Sequence, residues 1–225
     1  MRRISRYLPL FVLPFLFLPF AKAQSGVDFA VGFGGASAPS NKTGLDLNLN
    51  PCTNGTANCQ STPKLSNFML GFGADMMLWK HFGLGGEVNF EPGKKDYVNL
   101  TTPGTGFTEK IQSRVTFWDF NGILQPVATK RASIKLEGGI GGANIKFYDA
   151  TASTSGIFGS QAYSQYFGSA NHFQAHVGAG VQLYVKEHIF IRPQFDVHFV
   201  HNLEQFGRNT VLRYTIWLGY TFGGA

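Results

Sequence analysis

LRYTIWLGYTF, residues 212–222, decides the fold. Every second residue gives Leu212, Tyr214, Ile216, Leu218, Tyr220 and Phe222; between them lie Arg213, Thr215, Trp217, Gly219 and Thr221. The first set is apolar or aromatic without a break. The second carries a cation, two hydroxyls and a glycine beside its tryptophan. A period of two sends successive side chains to opposite faces of a β-strand, and helical spacing fits neither set.

The same alternation recurs upstream. VDFAVGFGG (27–35) sets Val27, Phe29, Val31 and Phe33 against Asp28, Ala30, Gly32 and Gly34. In residues 67–79, Phe68, Leu70, Phe72, Ala74, Met76 and Leu78 oppose Asp75 and two glycines, and in residues 82–91, Phe82, Leu84, Val88 and Phe90 oppose Gly85, Glu87, Asn89 and Glu91. Residues 172–186 set Phe173 through Val185 against His172, Gln174, His176 and Gln182. Residues 189–202 set Ile189, Ile191, Phe195, Val197 and Phe199 against Arg192, Gln194, Asp196 and His198. Pro193 interrupts that segment, and proline in a sheet favours an edge or a bulge. Residues 109–127 and 132–148 complete the set; the latter puts Ile134, Leu136 and Ile140 opposite Lys135, Glu137 and Gly139. Both change face part-way, which predicts bulges near Phe117–Trp118 and Gly142–Asn144. The GGIGG run, residues 138–142, reads as close packing or a bulge rather than a phosphate loop.

Eight strands result, with connections of alternating length. Long links are expected over about 37–65, 92–108 and 150–170, and tight turns at Lys80–His81, Thr129–Arg131 and Lys186–His188; a moderate link covers about 204–209. Long loops on one rim and short turns on the other is the pattern of a transmembrane barrel. No second domain or internal repeat of solenoid period is expected.

The first residues set the compartment. MRRISRYLPLFVLPFLFLPFAKAQS has a basic start, an apolar run and Ala21-Lys22-Ala23, the layout of a secretory signal, so residues 1–23 are expected to be cleaved and 24–225 to form the barrel. Pro9, Pro14 and Pro19 argue against an anchor helix. The chain is +6, from 19 Lys+Arg and 13 Asp+Glu. Losing Arg2, Arg3, Arg6 and Lys22 leaves a near-neutral mature chain, so the basicity is no argument for a nucleic-acid partner. After export, Cys52 and Cys59 read as one local disulfide, with free thiols as the alternative. Charged residues are only 14 % and hydrophobic residues 44 %, yet past the signal no apolar run is long enough for a membrane helix.

Two closed barrels fit an alternating chain. A soluble, lipocalin-like barrel would turn the apolar face inward; an outer-membrane barrel turns it to lipid. The polar faces are too glycine-rich and too thinly charged for a solvated surface. Their charges come in both signs: Asp75, Glu87, Glu137 and Asp196 against Lys135, Arg192 and Arg213. Enclosed together they can neutralise one another, as buried charges must. No charged residue falls in the apolar set of the well-read strands, where a central cation would cost about 2–4 kcal/mol.

On these residues the chain resembles the small eight-stranded outer-membrane β-barrels of the OmpA-barrel, OmpX and OmpW kind, over essentially the whole mature chain. The resemblance implies an antiparallel up-and-down transmembrane barrel with both termini periplasmic and four loops outside. Its partners would be outer-membrane lipid and lipopolysaccharide, with a loop-borne extracellular ligand conceivable, and it would act as a monomer. It also implies that Tyr214, Ile216, Leu218, Tyr220 and Phe222 form the terminal signal read by the barrel-assembly machinery; the departure is Gly223-Gly224-Ala225 after the aromatic.

For function, the expectation is a non-enzymatic structural or surface-interaction protein of the cell outer membrane, without cofactor. A narrow pore or small-ligand conduit is the alternative, resting only on the lumen charges. HFVHNLEQFGRN (198–209) faintly resembles lipid A deacylases, but Asn202 and Leu203 stand where a serine nucleophile should follow His201. His198 and His201 point to opposite faces of a strand, and the six histidines form no recognised metal motif.

Overall fold

The computed structural model describes residues 26–40, 63–101, 108–153 and 161–223. The signal segment and the pair Cys52 and Cys59 lie outside the described residues. The strands are β1 (Val27–Ala38), β2 (Leu65–Met77), β3 (Phe82–Phe90), β4 (Lys95–Thr101), β5 (Thr108–Ala128), β6 (Ala132–Ser153), β7 (Gln161–Lys186), β8 (Ile189–Val200) and β9 (Thr210–Phe222). They form one antiparallel sheet in which β1 pairs with both β2 and β9, from Val27↔Phe222 to Ser37↔Leu212.

Nine strands fill eight wall positions. β3 pairs with the lower part of β5, from Phe82↔Leu124 to Phe90↔Thr116, and β4 with its upper part, from Lys95↔Ser113 to Thr101↔Thr108. β3 and β4 are thus one staggered strand, interrupted where Pro92 and Gly93 break the ladder. The ring closes without a free edge, as lipid requires of a sheet. The expected link over 92–108 therefore contains the strand β4 (Lys95–Thr101), and the expected link over 150–170 shrinks because β6 and β7 pair out to Ser153↔Gln161. The tight turns lie where the alternation put them, together at the end that holds Val27 and Phe222.

The outer face is apolar over a continuous belt that includes Phe29, Phe72, Leu84, Phe120, Ile140, Val177, Phe195 and Ile216. Phe120 is 69 % exposed, a state that a phenyl ring holds only when something other than water covers it. Asp75, Glu87, Lys135, Glu137, Arg192, Asp196 and Arg213 are all buried inside. The lipocalin-like orientation is excluded.

The expected bulges in β5 and β6 are absent. The two strands pair continuously from Ile111↔Asp149 to Leu124↔Leu136, and the register shift lies lower, between Leu124 and Val127. Side-chain parity holds through the levels where the bulges were expected, and β5 changes face only past that lower shift, where Val127 points outward. Ile111, Ser113, Val115, Phe117, Asp119, Asn121 and Ile123 all point inward, as do Lys135, Glu137, Ala143, Ile145 and Phe147. What inverts is chemistry. Above the level of Phe117 and Ala143 the wall has left the lipid: its outer face turns polar (Arg114, Thr116, Asn144, Lys146) and its interior becomes an ordinary apolar core. That core joins Ala36, Leu65, Met69, Tyr97, Val115, Phe117, Ile145, Phe147, Val200, Leu203, Phe206 and Val211. Tyr97 stacks edge-on against Phe147 and Phe206, and burial pushes its phenol up, so it stays neutral within the plug.

Pro193 sits in a central strand, correcting the expected edge or bulge. The ladder between β7 and β8 keeps its register but has no partners for Arg192 and Pro193, so the missing proline donor falls in that gap. Glycine serves close approach at two inward positions. A Cβ on Gly32 or Gly71 would stand 2.8 Å from the Trp217 ring, so the glycines form the socket that admits a fully buried indole across the bore. GGIGG is close packing: a Cβ on Gly142 would stand 2.8 Å from the Trp118 ring outside.

The change of medium along β6 is measurable. Leu136→Lys, within the belt, should lower stability in bilayers by about 2–4 kcal/mol. Asn144→Lys, eight residues along on the same face, should cost no more than about 1 kcal/mol, the value of its exposed hydrogen bond to Asn171. Urea unfolding followed by the shift between folded and unfolded gel bands reads both.

Candidate functional site

The lumen residues fall into two ionic clusters at different depths. In the lower, β6 supplies Lys135, whose Nζ lies 2.8 Å from both Asp28 Oδ2 (β1) and Asp75 Oδ2 (β2). Arg192 Nη1 (β8) adds a bond of 2.6 Å to Asp75 Oδ2. Gln182 Nε2 donates to Asp28 Oδ2 at 3.2 Å and Thr221 Oγ1 to Asp28 Oδ1 at 2.7 Å. Two acids face two fixed cations here. Above Arg192 lies the Trp217 indole, 5.6 Å from the guanidinium carbon, an arrangement that favours the cation.

The upper cluster is built around Arg213 of β9. Its Nη2 donates to Glu87 (β3) and, at 2.9 Å, to Asp196 Oδ2 (β8), while its Nε donates to the same Asp196 oxygen at 3.2 Å. Gln194 donates to Glu137 and, at 3.0 Å, to Asp196 Oδ1. Asp119 receives Gln174 Nε2 at 2.7 Å, and His176 Nδ1 stands 3.2 Å from Asp119 Oδ1. His176 stacks on His198 with ring centroids 4.9 Å apart. The cluster holds four acids, two of them bonded to its single guanidinium.

All seven lumen charges expected from the alternation meet in these clusters: Asp75, Lys135 and Arg192 below, Glu87, Glu137, Asp196 and Arg213 above. Asp28, Asp119 and His176 join them. Asp28 and His176 stood on polar faces in the alternation but were not counted in the network; Asp119 was concealed by the supposed change of parity in β5. The five residues expected to form the terminal signal, Tyr214, Ile216, Leu218, Tyr220 and Phe222, lie on the outer face of β9, all exposed.

At the short-turn end a cavity of about 390 Å³ opens, lined by Gln125, Ser133, Tyr184, His188 and Thr221 among others, and its floor is Asp28. At the other end the apolar plug covers Asp119 and His198. His201 is exposed in the turn after β8, where Asn202 takes the left-handed conformation (φ 52°) that asparagine tolerates. Leu203 turns into the plug.

A closed ring with an apolar outside and an ionic bore is the fold of the small outer-membrane β-barrels. No protein-family model matches the sequence, and no curated protein matches it significantly. Solved structures do. The outer membrane protein OprG from Pseudomonas aeruginosa matches with a TM-score of 0.51 at 14 % identity, over 90 % of this chain and 98 % of that one. A major outer membrane protein from Thermus thermophilus gives 0.51 at 10 % identity, over 87 % and 99 %. Ail, the attachment invasion locus protein of Yersinia pestis, in complex with the heparin analogue sucrose octasulfate, gives 0.50 at 13 % identity, over 88 % and 99 %. At these identities the likeness is one of fold.

Arg213→Met should be among the most damaging single changes, because it leaves Glu87 and Asp196 buried without their cation. The expected loss is about 3–5 kcal/mol, read as a lowered urea midpoint in micelles. Arg213→Lys should recover only part of it, since an ammonium cannot reproduce the guanidinium fork.

Proposed function

We propose that this chain is a non-conducting outer-membrane barrel whose role is exercised at its outer rim, as an anchor and an interaction surface. One observation carries the reading: the bore is obstructed at successive levels. The lower ion cluster, the Trp217 indole with Phe190, the Arg213 cluster and the apolar plug follow one another along the axis. An eight-stranded interior has room for little beyond its side chains, and here they interlock rather than line a path. A plug of buried aromatics suits a stable platform better than a gate.

The projecting wall supplies the interaction surface. Just above the belt, Arg114 and Lys146 are directly opposed on adjacent strands and both face outward. Like charges in that register repel, so the pair gains most from an anionic ligand between them. Phosphate groups on lipopolysaccharide in the outer leaflet lie at this depth and supply that chemistry. Arg114 is braced for it, its Nε donating to the Glu91 carbonyl at 2.7 Å. A single ring needs no second copy to close, which supports a monomer. The turn at His201 gives no support to acyl-transfer chemistry, since the residue two positions on is an apolar plug residue.

In planar bilayers the purified protein should give no discrete conductance steps above background; reproducible steps that grow when Trp217→Ala opens that level would instead establish a pore. Lipopolysaccharide added to micelles should raise the thermal midpoint of the wild type and leave that of Arg114→Ala/Lys146→Ala unmoved. An equal rise in both would remove the phosphate contact from the proposal.

A further inference from the structure

The upper cluster carries an excess of negative charge, and the excess is localised. Below, Asp28 and Asp75 face Lys135 and Arg192. Above, Glu87, Asp119, Glu137 and Asp196 surround Arg213, and Arg192 also acts on Glu137 and Glu87 from below; even so, six buried acids in the bore face three fixed cations. Uncompensated carboxylates cannot be held in such a bore; they need protons or a further cation. The histidine pair stands at the place where the charge is missing.

That pair also lacks well-formed hydrogen bonds. His198 is fully buried and makes no hydrogen bond from either ring nitrogen; His176, nearly as buried, has its 3.2 Å ion-pair contact with Asp119 Oδ1 but no hydrogen bond of good geometry, and Asp119 Oδ2 makes none. A buried imidazole normally has at least one partner. Asp119, His176 and His198, from β5, β7 and β8, each bring one ligating atom within 4.8 Å of the others. We infer that Asp119, His176 and His198 form a binding site for one divalent transition-metal ion, of the zinc or cobalt class, inside the barrel.

The surroundings fit that role. Two imidazoles and one carboxylate suit such ions rather than calcium or magnesium, which prefer oxygen alone. Bonds of about 2.1 Å would draw the three groups together by roughly an ångström, a side-chain adjustment on three adjoining walls. Supporting contacts are in place. Gln174 Nε2 already holds Asp119 Oδ1 at 2.7 Å. With Nδ1 of His176 on the metal, its Nε2 proton faces Glu137 Oε1, now 3.8 Å away. A carboxylate behind a ligating histidine fixes the ring tautomer and raises its basicity. Glu87, Glu137 and His176 form a second converging set around the same ring, so the added charge would be shared through the whole cluster. The site lies beneath the plug and above Trp217, so the ion would be enclosed as the barrel forms.

The test uses the full chain, refolded from urea into micelles with Zn²⁺ or Co²⁺, freed of loose metal by a chelator wash and checked for folding by its gel shift. Elemental analysis should find one equivalent per chain, and Co²⁺ should give visible ligand-field absorption. His198→Ala and Asp119→Asn should each lower retention at least about tenfold, whereas His172→Ala, on the same face of β7 outside the cluster, should keep the full equivalent. Zinc-edge X-ray absorption on the wild type needs no variant and should show two imidazoles. Folded wild type with under about a tenth of an equivalent overturns the site, as does full retention in His198→Ala or an all-oxygen zinc spectrum.

Discussion

Ring closure between β1 and β9 is the constraint on which the rest depends. In lipid every backbone N–H and C=O must find a partner inside the protein. The pairing from Val27↔Phe222 to Ser37↔Leu212 removes the two edges that an open sheet would expose. Closure then divides each strand's side chains between two media that never exchange. The set facing lipid can hold no charge, so all charge within the belt enters the bore, and there the only compensation available comes from other strands. Lys135 bridging Asp28 and Asp75, and Arg213 bridging Glu87 to its cross-strand neighbour Asp196, are the result: the bonds of Lys135 and the bond from Arg213 to Glu87 cross the bore between residues 60 to 126 positions apart and tie separate walls together.

The same geometry explains why the strands change character without changing parity. A wall that extends past the lipid meets water outside, and its interior, filled by apolar side chains, takes the composition of a soluble core. Phe117 and Trp118 are neighbours in sequence with opposite fates: Phe117 enters the plug against His198, while Trp118 lies on the outer surface over Gly142. The plug and the ionic bore are two solutions to one problem, filling a space about one side chain wide, and each suits the charge that the wall outside it permits. The proposed interaction surface at the outer rim would thus be mounted on a cylinder filled by side chains at successive levels.

Within the bore the lower and upper clusters differ in kind. The lower is balanced, with two acids against two cations. The upper holds more carboxylate than fixed cation and the only stacked imidazole pair among the described residues. An interior of this sort is stable when something supplies the missing positive charge, and histidines are the side chains able to take up either a proton or a metal ion for that purpose.

Much of this was legible in the sequence. The period of two named the strands, and the chemistry of each face assigned Arg213, Asp196, Arg192, Lys135, Glu137, Glu87 and Asp75 to one enclosed set, because alternation is a local property of the chain. Only the tertiary structure decided which of them touch. It also placed Asp119 and His176 beside His198 and replaced the apparent pair of bulges in β5 and β6 with continuous pairing from Ile111 to Leu124 and one shift below it. A sequence pattern reports which face a residue takes but not what medium lies beyond that face. In a barrel the medium changes along the strand, and only the register of neighbouring walls reveals where.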